Sequence, residues 1–389
     1  MSKVIKITNG ALLTPRGLID DEDVYLKDGK ILAVTADALP YDEVVDAGGK
    51  YVSPGFIDIH VHGGGGYDFM DGGTEPIIKA AAMHLSHGTT SIMPTTLACS
   101  YAALTEFLNN LRTVMDEGLS DANILGTHLE GPYFSGAQSG AQNPEYIKIP
   151  DPSEYLELLD DHGDIIRHWS FAPELEGAVA FCETLSRRGV RPSIGHSDAV
   201  FSEVEKVYEK GCRKVTHLYS GMSTITRQQG YRRLGVIESA YYYDDMTAEV
   251  IADGKHLPPE LLWVIVKGIG IDRICLVTDA MRGAGMPEGP SFLGRKGEEM
   301  PCVIEDGVAK LLDRSAFAGS VATADRLIRT MVQEVGLSVY DAVKMMTLNP
   351  ASFFGIRKGA LEEGFDADVI IFDENITVTD VFVNGIRRK

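Results

Sequence analysis

The sequence has no excess of positive charge: 36 lysines and arginines stand against 56 aspartates and glutamates, a formal net charge of -20 over 389 residues. Phosphate backbones are held mainly by clustered Lys and Arg, so a general nucleic-acid binder is excluded and any anionic ligand must meet a local basic patch. Cysteine is scarce. Cys99, Cys182, Cys212, Cys275 and Cys302 are scattered, odd in number and without a CxxC pair, which argues against a disulfide framework or zinc knuckle and for reduced thiols in a cytoplasm. No uninterrupted apolar run is long enough to span a membrane, and MSKVIKITNGALL lacks the apolar core and cleavage site of a signal peptide. A cytoplasmic protein with neither membrane nor nucleic-acid partner is expected.

What is present is an ordinary globular composition, 44% hydrophobic and 24% charged. The length exceeds the ~100 to 200 residues of one typical domain, although an α/β barrel uses about 250 residues as one unit. Both ends are rich in short β-type runs, VIKIT and VYLKDGKILAV at the start and ADVIIFDENITVTDVFVNG at the end, with Asp28-Gly29 as a hairpin signal. One small β domain assembled from residues 1–52 and 353–389 is therefore expected. Between the ends, strand-like runs alternate with helical patterns, and the runs end near His60, Thr95, Glu130, Glu174, His196, His217, Asp253 and Asp279. Eight such runs predict a (β/α)8 barrel over residues 53–352, with its reactive groups at the strands' C-terminal ends. From about 287 to 318 the pattern breaks, and an inserted hairpin or lid is expected there.

The stretch GFIDIHVHGGGGYDF sets His60 and His62 one residue apart. In a strand, residues i and i+2 face the same way, so both imidazoles can aim at one point. The glycines that follow serve either close backbone approach to a ligand or a tight loop. HLEGP, SIGHSD and VTHLYSG add Glu130, His196 and His217 at later strand ends, and LVTDAM adds Asp279. Imidazole with carboxylate suits a divalent metal, Zn²⁺ or Fe²⁺.

These motifs, with ADGKH, FAGS, TLNPA and the closing GFDADVIIFD, resemble the amidohydrolase superfamily and, within it, the N-acetylglucosamine-6-phosphate deacetylase family. The resemblance implies a metal-bearing (β/α)8 barrel beside a β-sandwich, and hydrolysis of N-acetylglucosamine 6-phosphate to glucosamine 6-phosphate and acetate. It implies Glu130, His196 and His217 as principal metal ligands, His60 and His62 as completing a site for one or two ions, and Asp279 as catalytic acid/base. His256 would contact the substrate carbonyl. Arg227, in a loop that also holds Arg232 and Arg233, would bind phosphate across a homodimer interface.

Two departures touch the substrate. Where many members of the family carry Asn-Ala after HLY this chain has Ser220-Gly221, and where they have histidine before Asn-Pro it has Gln142. They keep open a deacylase of a different N-acyl amino sugar, phosphorylated or not, and, from another class, a non-catalytic sugar-phosphate-binding barrel. The other histidines read as bland: His84 and His87 on a helix outside the barrel, His162 and His168 at the surface or hydrogen-bonded. Tyr241 to Tyr243 read as packing residues.

Overall fold

The computed structural model describes residues 3–389. Eight parallel strands carry the middle of the chain: β1 Phe56–Val61, β2 Thr89–Pro94, β3 Thr127–Glu130, β4 Ile166–Phe171, β5 Arg191–Ile194, β6 Lys214–Val215, β7 Thr247–Val250 and β8 Ile274–Leu276. Strands β3 to β8 form one sheet in chain order, and β1 pairs with β2. Thr95 bridges to His128 and joins β2 to β3. Beyond β8 the Asp279 amide donates to the His60 carbonyl at 2.9 Å and the His62 amide to that of Ala280 at 2.8 Å, so the last strand's continuation returns to the first.

A helix follows each strand, and local chemistry starts several of them. The second, Tyr101–Asp116, begins where Ser100 accepts from the Ala103 amide at 3.2 Å; the third, Pro152–His162, begins where Asp151 accepts from the Ser153 amide at 2.9 Å. Alternation then sorts the side chains. Ile57 and Ile59 pack with Met93, Val277 and Phe354 in one apolar cluster, while Asp58 reaches Thr278 and His60 reaches the strand-end carboxylates. Burying an aliphatic side chain of this size is worth about 1.5 to 3 kcal/mol, which fixes the strand's register and with it the histidines' direction.

The chain ends form two mixed sheets. One, of four strands, runs Lys30–Thr35, Asp23–Lys27, Ile5–Thr8, Glu43–Asp46; the other, of six, joins Ala11–Thr14 and Tyr51–Pro54 to Val369–Phe372 and Val378–Val383. Ile7, Val24 and Ile31 of the first share a core with Leu12, Val52, Ile371 and Phe382 of the second. Asp28 and Gly29, with φ of 51° and 74°, make the turn expected of them. The insertion differs from expectation: in place of one hairpin, Gly289–Leu293, Met300–Glu305 and Val308–Leu311 form a three-stranded antiparallel sheet. The strand Tyr51–Pro54 crosses the expected boundary at residue 52. Among the described residues no helix is long and apolar enough to cross a membrane.

Candidate metal centre and active-site cavity

Two groups of ligand-type side chains meet where the strands end. His60, His62 and Asp279 form one; Glu130, His196 and His217 form the other, with the ligand atoms of each group within 4.8 Å of one another. Glu130 lies between them. Its Oε1 is 2.9 Å from His217 Nε2, 3.2 Å from His196 Nε2 and 3.5 Å from His60 Nε2, whereas Oε2 is 3.4 Å from His62 Nε2. Asp279 Oδ1 is 3.0 Å from His62 Nε2 and 3.5 Å from His60 Nε2.

The backbone turns sharply to bring these groups in. His196, His217 and Asp279 lie just beyond the ends of β5, β6 and β8 with φ of 47°, 30° and 48°, the left-handed region that costs a non-glycine residue about 1 kcal/mol or more. The neighbouring loop is shaped to match. A Cβ on Gly221, itself at φ 56°, would lie 3.0 Å from His196 Nδ1 and 3.1 Å from the Gln138 carbonyl, so glycine there lets the loop rest on the histidine.

The donor set fits a divalent cation. His196 Nδ1 donates to the Gln138 carbonyl at 2.8 Å, which turns Nε2 toward the group, 3.2 Å from His217 Nε2. Bonds of about 2.05 Å to a tetrahedral ion would set two such nitrogens about 3.3 Å apart. His60 Nε2 is buried without a hydrogen-bond partner. Burial alone would lower the pKa of His60, yet Glu130 and Asp279 raise it well above its ordinary value, a sign that the two carboxylates call for positive charge between the rings. Burial would raise Glu130 and Asp279, but His60 and the other imidazoles outweigh it and hold both acids down.

A cavity of about 210 Å³ opens onto these groups. His62, Glu130, His196, His217 and Asp279 line its floor, with Gln142, Ser220, Gly221 and His256 on its walls beside Phe317. His256 is fixed through Nδ1, 2.8 Å from Asp253 Oδ2, and its ring packs 4.7 Å from that of Phe317. Gln142 is committed at both ends of its amide: Nε2 donates to Glu130 Oε2 at 2.7 Å and Oε1 accepts from the Ala98 amide at 2.8 Å. Arg227 does not line this cavity. It lies on the hairpin Thr226–Gln228 and Tyr231–Arg233 with Arg232 and Arg233, and every residue from Thr224 to Arg233 is exposed.

The amidohydrolase family model matches residues 51–387. The chain belongs to the amidohydrolase family. An N-acetylglucosamine-6-phosphate deacetylase of Lysinibacillus sphaericus is 35% identical over 386 residues, covering 97% of this chain and 96% of the relative. An N-acetylgalactosamine-6-phosphate deacetylase of Escherichia coli O157:H7 is 31% identical, covering 96% of each. Among solved structures, an N-acetyl-D-glucosamine-6-phosphate deacetylase mutant from Mycobacterium smegmatis, in complex with N-acetyl-D-glucosamine-6-phosphate, superposes with a TM-score of 0.89 at 29% identity over 99% of both chains. The long coverage carries the family's fold to the whole chain.

Several strand ends play parts other than those expected. Strand β4 stops at Phe171, and Glu174 beyond it accepts from Ser197 Oγ at 2.8 Å outside both ligand groups. His84 is buried and holds the glycine loop through the Gly63 carbonyl at 2.9 Å; a Cβ on Gly64 would lie 2.2 Å from Met83 Cε, so a tight loop is what these glycines provide. Of its two expected readings His168 takes the hydrogen-bonded one, fully buried between His128 and Glu249. His162 is buried as well. Sequence reading missed Glu249 and Lys214, fully buried below the cavity; the signal was a lone Glu between Ala248 and Val250 in an otherwise uncharged strand.

Proposed function

We propose that this chain hydrolyses N-acetylglucosamine 6-phosphate to glucosamine 6-phosphate and acetate. The observation that carries this reading is the pair of complete ligand groups around Glu130, closed by Asp279, at the floor of a cavity whose walls include His256. His60, His62, Glu130, His196, His217 and Asp279 would hold one or two divalent ions, zinc or iron. When bound, such an ion supplies Lewis-acid chemistry, lowering the pKa of water and polarising an amide carbonyl. Asp279, kept ionised by His60 and His62, accepts a proton from the attacking water and returns it to the departing nitrogen, which must not leave as an anion. His256, braced by Asp253, offers Nε2 to the carbonyl oxygen as negative charge develops there.

Substrate contacts belong to the same proposal. Ser220, Gly221 and Gln142 face the sugar, and Arg227 binds phosphate from the second subunit of a homodimer, since its own chain leaves it outside the cavity. An Arg fork matches phosphate geometry. The architecture proposed with it is a (β/α)8 barrel over 53–352, broken by the 287–318 insertion, and a β-sandwich from 1–52 and 353–389. A cytoplasmic location goes with this reading of a metabolic hydrolase. A second reading, a deacetylase acting on the galacto epimer, is favoured by the resemblance to the galactosamine relative together with Ser220, Gly221 and Gln142. A non-catalytic barrel is disfavoured because no ligand position is lost. Metal-loaded protein is expected to release acetate and free amine one for one from N-acetylglucosamine 6-phosphate, and chelator-stripped protein neither; stoichiometric metal without acetate release would reject the proposal.

A further inference from the structure

Below the cavity floor lies a carboxylate that the reaction does not use. Glu249, on β7, has no exposed surface, and its two oxygens are fully engaged. Oε2 accepts from His60 Nδ1 at 2.9 Å; Oε1 accepts from His168 Nε2 at 3.2 Å and lies 3.1 Å from the Lys214 ammonium, itself without exposed surface. Lys214 also sits 4.4 Å above the ring of Phe353. A buried ion pair is a weak source of stability compared with apolar packing of the same volume, so stability alone does not explain it.

What Glu249 does is fix one imidazole. With Nδ1 of His60 donating downward, Nε2 is the nitrogen left facing the cluster, 3.5 Å from both Glu130 Oε1 and Asp279 Oδ1, and it has no hydrogen-bond partner. None of the other three histidines of the two groups has a carboxylate behind it. His196 leans on the Gln138 carbonyl, and Nδ1 of His62 and of His217 has no partner. A carboxylate behind a ligand histidine sets its tautomer and raises its basicity. Lys214 balances the added charge, so a third acid can lie below Glu130 and Asp279.

We propose that Glu249, paired with Lys214, is a positioning residue that prepares His60 as a ligand, so that His60, His62 and Asp279 take an ion of their own beside the one at Glu130, His196 and His217. The inference rests on the metal reading above and commits it to two ions. Its test is a Zn²⁺ titration of chelator-stripped full-length protein, by calorimetry with elemental analysis of the bound metal. Wild type is expected to take two ions. Glu249→Gln is expected to weaken one of them about 10- to 100-fold and leave the other unchanged. Because that variant strands the Lys214 charge, Lys214→Met/Glu249→Gln serves beside it and is expected to fold normally while still binding the second ion weakly. Two ions at undiminished affinity in the double variant would overturn the inference and leave the metal reading standing. A wild type that takes one ion overturns the inference, and one that takes none overturns both. Loss of the fold in both variants would make Glu249 a structural residue and overturn the positioning role.

Discussion

The cluster around Glu130 and the hairpin that carries Arg227 are built in opposite ways. In the cluster every ligand-type side chain is nearly or wholly buried, its direction set by a strand end and, for His60, His196 and Asp279, by a hydrogen-bonded or charged neighbour. In the hairpin all of Thr224 to Arg233 is exposed, Tyr231 to 78%, and among the described residues the Arg227 side chain has no hydrogen-bond or ion-pair partner. The difference separates two tasks. On the proposed function, chemistry is assembled inside one chain from buried groups, whereas phosphate recognition would fall to an exposed element completed by a substrate or a second copy.

The comparison breaks most directly at Asp279. Asp279→Asn removes proton transfer from the buried cluster and is expected to lower kcat about 10²- to 10⁴-fold while elemental analysis still finds the ion at Glu130, His196 and His217. His256→Ala removes a donor to the carbonyl and should cost about 10²-fold in kcat with little change in KM. On the exposed side, Arg227→Ala should raise KM for the phosphorylated substrate about 10- to 100-fold and leave kcat near wild type, the loss of a charged hydrogen bond to an anion. Mixing Arg227→Ala chains with Asp279→Asn chains sharpens this: each mixed dimer regains one site that has both groups, so activity should recover, and its failure to recover would place Arg227 in its own chain's site.

A smaller effect tests the rim of the cluster. His84 is fully buried, and burial holds its pKa at about 4 against an ordinary 6.5, despite the bond to the Gly63 carbonyl. Its folded value lies below its unfolded one, so the unfolded chain binds the proton first. Its contribution is therefore complete above pH 6.5 and is lost as pH falls toward 4. His84→Gln keeps a donor and should flatten that loss by about 2 kcal/mol between pH 7 and 4.5, read by denaturant unfolding.

How far the sequence foretold this molecule follows from the range over which each feature acts. His60 and His62 were legible because a two-residue period is local, and Glu130, His196, His217 and Asp279 because strand, loop and helix signals recur around each. Lys214, Glu249 and His60 were not legible as a group: 35 and 189 positions separate Glu249 from the other two, and only closure of the strands makes them neighbours. The insertion's first strand, Gly289–Leu293, begins with Gly-Pro and lacks the β-branched alternation that marks strands in isolation. Left-handed backbone at His196, His217 and Asp279 has no sequence signal, since the residue types are those chemistry requires rather than those the turn prefers.

The most direct test of the whole account is kcat/KM of the metal-loaded protein for N-acetylglucosamine 6-phosphate beside its galacto epimer and its dephosphorylated form. The gluco phosphate is expected to be the best substrate, with a loss on dephosphorylation that Arg227→Ala largely abolishes. An unphosphorylated sugar turned over as well as the phosphate, or a galacto epimer preferred over both, would contradict it.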